Sequence, residues 1–300
     1  MARYSSRRLS ESERAERRRA DRERLTQAAE QLLSSEGWQR WVQIRSHAGL
    51  ARLSLSNQLL VALARPHATF VAGFKAWLGL GYVVRKGERA IAIIAPLPVK
   101  ERDRISGTAT GETITLFKTV YVFDQDQVTP IDGAEQAPLE PPCEPLTGDS
   151  HVYLIAPLCA FAQSLEFTVS FEAIDGPAGG WCDSKRKRIA VDNGQPVNAQ
   201  VRILVHECIH ALGVDYQRFT RDQAEVIVDT TTLIVLGGVG LDISGETVPY
   251  VAGWGEAGAL DAVTEFAQLI DNLAREVETA LADIDATSGG VAEPLLASAS

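Results

Sequence analysis

Two histidines four residues apart, with a glutamate directly after the first, are the residues of this chain best placed to do chemistry: His206-Glu207-Cys208-Ile209-His210. Residues four apart on a helix share a face, so His206 and His210 would present two imidazoles to one zinc ion. Glu207, one residue on, would reach a water in the ion's open position. Two ligands and a general base on one helix is the H-E-x-x-H arrangement of a zinc peptidase. The competing reading makes the two histidines ordinary core or surface residues. Against it stand the flanks: Val201 to Gly213 reads as a buried helix ending at a glycine, and buried imidazoles need partners. The chain has only five histidines, and two of them fall at this spacing.

A catalytic zinc takes a third protein ligand and keeps a fourth position open. A helix expected from Arg221 to Leu236 offers Glu225 and Asp229, four residues apart on one face and 15 and 19 residues past His210. This Glu-x-x-x-Asp resembles the second helix of the thermolysin-type zinc peptidases. The resemblance implies Glu225 as the ligand and Asp229 as the partner that orients His206 and fixes its tautomer, with Asp229 the alternative ligand. In such a site the zinc polarises a peptide carbonyl, and Glu207 passes a proton from water to the leaving amine. Tyr216, Tyr250 and His151 are the candidate oxyanion donors, and the sequence does not choose among them.

The elements around the motif follow from periodicity. Residues 151–164 read as a helix, 166–174 as a strand, Gly176 to Gly180 as a turn, and Lys187 to Val191 as a strand that would run past the cleft and hold an extended substrate. A glycine-rich turn and a long amphipathic helix, Ala259 to Leu281, follow the Arg221 helix. Ahead of all this lie helices over Ser10–Ser35, Trp38–Gly49, Asn57–Ala64 and Ala72–Leu80. A Lys86-Gly87-Glu88 turn between strands, a strand Ala90–Ala95, a polar excursion Lys100–Glu112 and a strand Thr113–Phe123 complete the first part. Residues 127–150, with five prolines, read as a linker. The fold class expected is α+β in two domains: a basic arm at 1–24, a first domain at 25–126, and a second domain at 151–286. Residues 1–9 and 287–300 read as disordered.

Composition separates the two parts. Residues 1–125 hold 21 Lys and Arg against 12 Asp and Glu, a net of +9; residues 126–300 hold 8 against 27, a net of −19. The first part is suited to a polyanion and the second would repel one, so the first is expected to bind a nucleic acid by itself. The longest apolar run, near Leu233 to Leu241, is too short for a bilayer and carries three glycines. The arginine-rich start has no apolar core and is no secretory signal. Four cysteines without a close pair fit a reducing cytoplasm. No membrane partner is expected.

The first part carries a further pattern. Trp38, Ser54-Leu55-Ser56-Asn57-Gln58-Leu59-Leu60, Arg65-Pro66-His67-Ala68-Thr69, Val71-Ala72-Gly73-Phe74-Lys75-Ala76-Trp77, Leu80-Gly81 and Val84-Arg85-Lys86-Gly87-Glu88-Arg89-Ala90-Ile91-Ala92-Ile93 occur in this order. Over residues 25–125 the chain resembles the N-terminal domain of the ArdC-type antirestriction proteins. The second part is similar to the same family at 206–210, 225–229 and 248–254, with Asp229 standing where a Glu is expected. The resemblance implies a domain that binds single-stranded DNA, followed by a zincin-like metallopeptidase domain that acts on an unidentified protein substrate. It also implies a role in protecting entering plasmid or phage DNA from restriction. The same parts would serve a protease acting on DNA–protein adducts, or a DNA-binding protein with an idle zinc site. Single-strand binders pair a basic groove with aromatic platforms. Arg65, Lys75, Arg85, Lys86, Arg89 and Lys118 are the candidate phosphate contacts, and Trp77, Phe74, Tyr82 and Phe117 the candidate platforms, although a tryptophan on a helix, as Trp77 is, is more often core.

Overall fold

The computed structural model describes residues 10–102, 109–139, 144–176, 178–242 and 260–282. The expectations for residues 1–9, for the segment through Tyr250 and Trp254, and for the tail past 286 lie outside these residues. Helix α1 (Glu11–Glu30) begins at a capping box, in which the Ser10 side chain accepts from the Glu13 amide and Glu13 reaches back to the Ser10 amide. Helices α2 (Ser35–Ser46), α3 (Ala48–Ala51) and α4 (Leu55–Ala64) follow, then strand β1 (Val71–Gly73), helix α5 (Phe74–Gly79) and strands β2 (Tyr82–Val84), β3 (Ile91–Arg102), β4 (Ala109–Asp124) and β5 (Val128–Pro130). The rest comprises α6 (Ile155–Ser164), β6 (Thr168–Glu172), β7 (Gly180–Asp183), β8 (Arg188–Asp192), α7 (Val197–Ala211), α8 (Arg221–Gly238) and α9 (Leu260–Ala282). The class is α+β. Among the described residues no helix is long and apolar enough to cross a membrane.

The strands form three sets. β4 is the middle of an antiparallel sheet ordered β1-β4-β3. The described ends of the polar excursion expected over Lys100–Glu112 are instead strand, because ladder pairing carries β3 on to Arg102, opposite Ala109 of β4. β2 pairs with β5, Val84 opposite Val128, so the Lys86-Gly87-Glu88 turn does not join a hairpin. In the third sheet β8 is the centre, parallel to β6 and antiparallel to β7. Of β7, only Gly180 falls within the expected turn Gly176 to Gly180; residues 181–183 carry no expected element.

The hydrophobic core does not divide at residues 127–150. One contiguous cluster contains Trp38, Trp41, Leu59 and Leu60 from the first part and Leu204, Ile209, Ile227, Val235, Ile270 and Val277 from the second. The apolar faces of α2 and α4 are covered by α8 and α9, so the core is continuous across the expected boundary. Helices α2 and α8 approach closely at Gly237, where an added Cβ would stand 2.6 Å from the Ser46 Cβ and 3.0 Å from its carbonyl oxygen. A smaller cluster of Leu50, Val61, Ile91, Ile93 and Val122 lies beneath the first sheet.

A buried polar network crosses the same seam. The Arg45 guanidinium donates to Asp271 Oδ1 at 2.5 Å and to both Glu278 oxygens at 2.7 and 2.8 Å. Gln58 donates to Asp271 Oδ1 at 3.2 Å while accepting from the Trp41 indole at 2.9 Å. Arg275 supplies Asp271 Oδ2 at 3.0 Å and also reaches the Leu53 carbonyl. Burial by itself would lower the Arg45 pKa; the two carboxylates outweigh it and hold the guanidinium charged.

Candidate metal centre and nucleic-acid surface

Helix α7 turns Val201, Leu204, Val205, Cys208 and Ile209 into the core and leaves His206 and His210 on its other side. It ends where Gly213, at φ 94°, takes the left-handed conformation past the Leu212 cap and donates to the His210 carbonyl. The His206 and His210 rings lie with centroids 5.1 Å apart. Helix α8 starts at a Thr220–Gln223 capping box, which sets its first turns against α7 and brings Glu225 and Asp229 to the histidines.

The histidines are oriented from behind. His206 Nδ1 lies 3.2 Å from Asp229 Oδ1, and His210 Nδ1–H donates to the Val214 carbonyl at 2.7 Å. Both Nε2 atoms therefore face Glu225, His206 at 3.7 Å from Oε2 and His210 at 3.9 Å from Oε1. One donor atom from each of His206, His210 and Glu225 lies within 4.8 Å of the others. Ligands of a tetrahedral ion at about 2.0–2.1 Å sit about 3.4 Å apart, so small side-chain adjustments would close this set around a divalent metal. Two neutral imidazoles and a carboxylate are suitable chemistry, with Asp229 behind His206 and the Val214 carbonyl behind His210. Burial acts to lower the His206 pKa, but the Asp229 hydrogen bond and the carboxylates of Glu207 and Glu225 raise it overall; at His210 burial prevails and the pKa falls.

Glu207 is nearly wholly buried beside this set, and burial lifts its carboxyl to about 7, with the His206 charge opposing and Glu225 adding to the rise. It packs against β7. An added Cβ on Gly180 would stand 3.3 Å from Glu207 Oε1, 2.8 Å from the Ala190 carbonyl and 2.5 Å from Ile203 Cγ2. Only glycine allows this close approach. Gly180→Ala should therefore destabilise the chain by about 1–3 kcal/mol, read as a lower denaturant midpoint; an unchanged midpoint would contradict the packing described.

A cleft of about 420 Å³ opens on these groups, lined by Gly180, Trp181 and Cys182 of β7 and by Tyr216 and Arg221. Tyr216 donates to Glu225 Oε1, and burial together with this bond pushes its pKa up to about 12. Of the three expected oxyanion donors, Tyr216 is the one at the cleft. Tyr250 is outside the described residues. His151 is a structural residue: its Nε2–H donates to the Val239 carbonyl and its amide to Asn198. The strand expected to hold substrate, Lys187 to Val191, lies at the sheet centre with both edges paired, so the edge facing the cleft belongs to β7. Periodicity missed β7; its only sequence signal is the Gly179-Gly180 pair that lets backbone approach a helix.

The DNA-binding candidates separate. Trp77 is wholly buried, donates to the Phe123 carbonyl at 2.9 Å and packs on Phe70 and Tyr82. Its role as a stacking platform is corrected to that of a core residue. Arg65 is paired with Glu88 and Asp126, and Arg85 with Glu88 and the Asp126 and Val128 carbonyls, so this corner is locally neutralised. Lys75, Lys86 and Arg89 are exposed and Lys118 is half-buried. Among the aromatics, Phe74 is 50% and Phe117 72% exposed.

Comparison with known proteins bears on the first part. Residues 22–123 match the family model for the N-terminal domain of anti-restriction factor ArdC. No curated protein matches the chain. Among solved structures, the chain is similar to the metal-free crystal structure of the antirestriction ArdC protein from R388 plasmid, at 17% identity and a TM-score of 0.46, covering 79% of this chain and 86% of that one. It is likewise similar to the Mn(II)-bound structure of the same protein, at 16% identity and a TM-score of 0.42, covering 79% and 89%.

Proposed function

We propose, from the premise that residues 22–123 are an ArdC-type N-terminal domain, that this protein binds single-stranded DNA through its first part and hydrolyses peptide bonds at a zinc site in its second, protecting entering plasmid or phage DNA from restriction. The observation that carries the enzymatic half is the set of Nε2 atoms of His206 and His210 turned toward Glu225, with buried Glu207 beside them. We read the second part as zincin-like on the order of its elements: a mixed sheet whose edge strand β7 has no second partner among the described residues, the motif helix, then the helix bearing the third donor.

A bound zinc ion would supply Lewis acidity, polarising a carbonyl and making water nucleophilic near neutral pH. This chain's residues do the rest. Asp229 and the Val214 carbonyl hold both imidazoles with Nε2 outward. Glu207, held beside Gly180, takes the proton from water and delivers it to the leaving amine. A peptide laid along the free edge of β7 would be held extended past Glu207 by main-chain hydrogen bonds. Tyr216 is positioned to donate to an oxyanion once it leaves Glu225.

Elemental analysis tests the centre. About one zinc per chain is expected, lost in His206→Ala and in His210→Ala, and reduced more by Glu225→Ala than by Asp229→Ala. Equal zinc in wild type and His210→Ala would remove the site; a larger loss from Asp229→Ala would exchange the two acidic roles.

A further inference from the structure

We infer that helix α1 and the outward face of β4 form one surface for single-stranded DNA, an inference that rests on the DNA-binding reading above and says where the strand lies. Phe117, Thr119 and Tyr121 share a face of β4, since alternate residues of a strand point the same way. Phe117 is 72% and Tyr121 53% exposed. Four strand residues separate the two rings by about 13 Å, enough for each to take a different base.

Helix α1 is fixed to this same face. Arg17 donates to the Tyr121 hydroxyl at 3.0 Å, and Thr119 Oγ1 donates to Asp21 Oδ2 at 2.8 Å. The contact brings an arginine-rich stretch against the aromatic face: Arg17 to Arg24 contains five arginines and two acids. Arg19 is paired with Glu23, and Arg24 with Asp21. Arg18 and Arg22, one turn apart, are exposed and have no side-chain partner among the described residues. Residues 11–21 of the helix precede the segment matched by the family model, and residues 22–30 lie inside it.

Charge and chemistry select the occupant. Unpaired arginines on a part of net charge +9 suit phosphates, and exposed rings offer stacking that any base can accept. A duplex keeps its bases stacked on one another, so a single strand fits better. The Lys86–Arg89 corner, beside the neutralised Arg65 and Arg85, is the competing surface.

The test uses the full chain and fluorescence anisotropy of a labelled oligothymidylate of about 20 nucleotides at two salt concentrations. Phe117→Ala should weaken binding about tenfold. Arg18→Ala with Arg22→Ala should flatten the salt dependence by about 1.4 in log–log slope, at about 0.7 per lost contact. Tyr121→Phe keeps the ring and should lose less than Tyr121→Ala. Lys185→Ala with Arg186→Ala, an equal change of charge in the second part, should leave affinity and slope as they are. Wild-type binding in Phe117→Ala and in the α1 double variant, together with loss in Lys86→Ala/Arg89→Ala, would overturn this surface and leave the DNA reading standing. A wild-type protein that bound no single strand would overturn both. A dimer that Phe117→Ala renders monomeric, with DNA binding intact, would make this face a contact between copies and overturn the inference.

Discussion

Glu207→Gln is expected to retain the bound metal of the wild-type protein and to lose peptide hydrolysis by about 10²–10⁴-fold. The argument is steric as much as chemical. Glutamine has nearly the shape of glutamate, so it fits the space beside Gly180 without displacing α7. Its amide cannot accept the proton that a carboxylate takes from water. Glu207 does not belong to the donor set formed by His206, His210 and Glu225, so metal content should not follow activity. Elemental analysis and cleavage of a substrate found by screening DNA-bound proteins would be measured on the same preparation. Wild-type cleavage by Glu207→Gln would end the general-base assignment, whereas joint loss of metal and cleavage would move Glu207 into the donor set.

Arg45→Met should be the most damaging single change away from the cleft. Removing one partner from a buried ionic network leaves the other charge uncompensated, at a cost of about 3–5 kcal/mol. Here Asp271 is itself wholly buried and would keep only Gln58 and Arg275. For a chain of this size the melting temperature should fall on the order of 10 °C. The companion variant Arg45→Met with Asp271→Leu and Glu278→Gln removes the stranded charges and should recover part of the loss. A melting temperature within a degree or two of wild type in Arg45→Met alone would mean that the network carries little of the stability.

The candidate donor set is legible in the sequence because its logic is local. Helical periodicity alone puts His206 beside His210 and Glu225 in line with Asp229, and both helices formed where the pattern placed them. What brings α8 against α7 is tertiary, yet a ligand count of three left few candidates. β7 was not legible: four residues, Gly180-Trp181-Cys182-Asp183, carry no alternation, and they are extended because β8 pairs with them. Trp77 sits on a six-residue helix whose inward face is chosen by Phe70 and the Phe123 carbonyl, both distant in sequence. The prolines between 127 and 150 read as a linker, yet Pro130 ends strand β5, and the apolar core is continuous across the segment. Nothing local tells α2 and α4 that their apolar faces will be met by helices some 200 residues later. Arg45, Asp271 and Glu278 each read as surface charges for the same reason.

That continuous core sets what the cleft can reach. A peptidase tethered to a DNA-binding module by a flexible linker would sweep a volume, and its effective concentration on a neighbouring protein would depend on linker length. Here α8 carries Glu225 near one end and rests on Ser46 of α2 at Gly237 near the other, a span of 12 residues or about 18 Å of helix. On the proposed function, the cleft would be held at a fixed offset from whatever strand the first part grips, like a mark on a ruler. A substrate would be chosen by where it sits along the DNA as well as by its sequence, and lengthening the segment 127–150 would not extend that range.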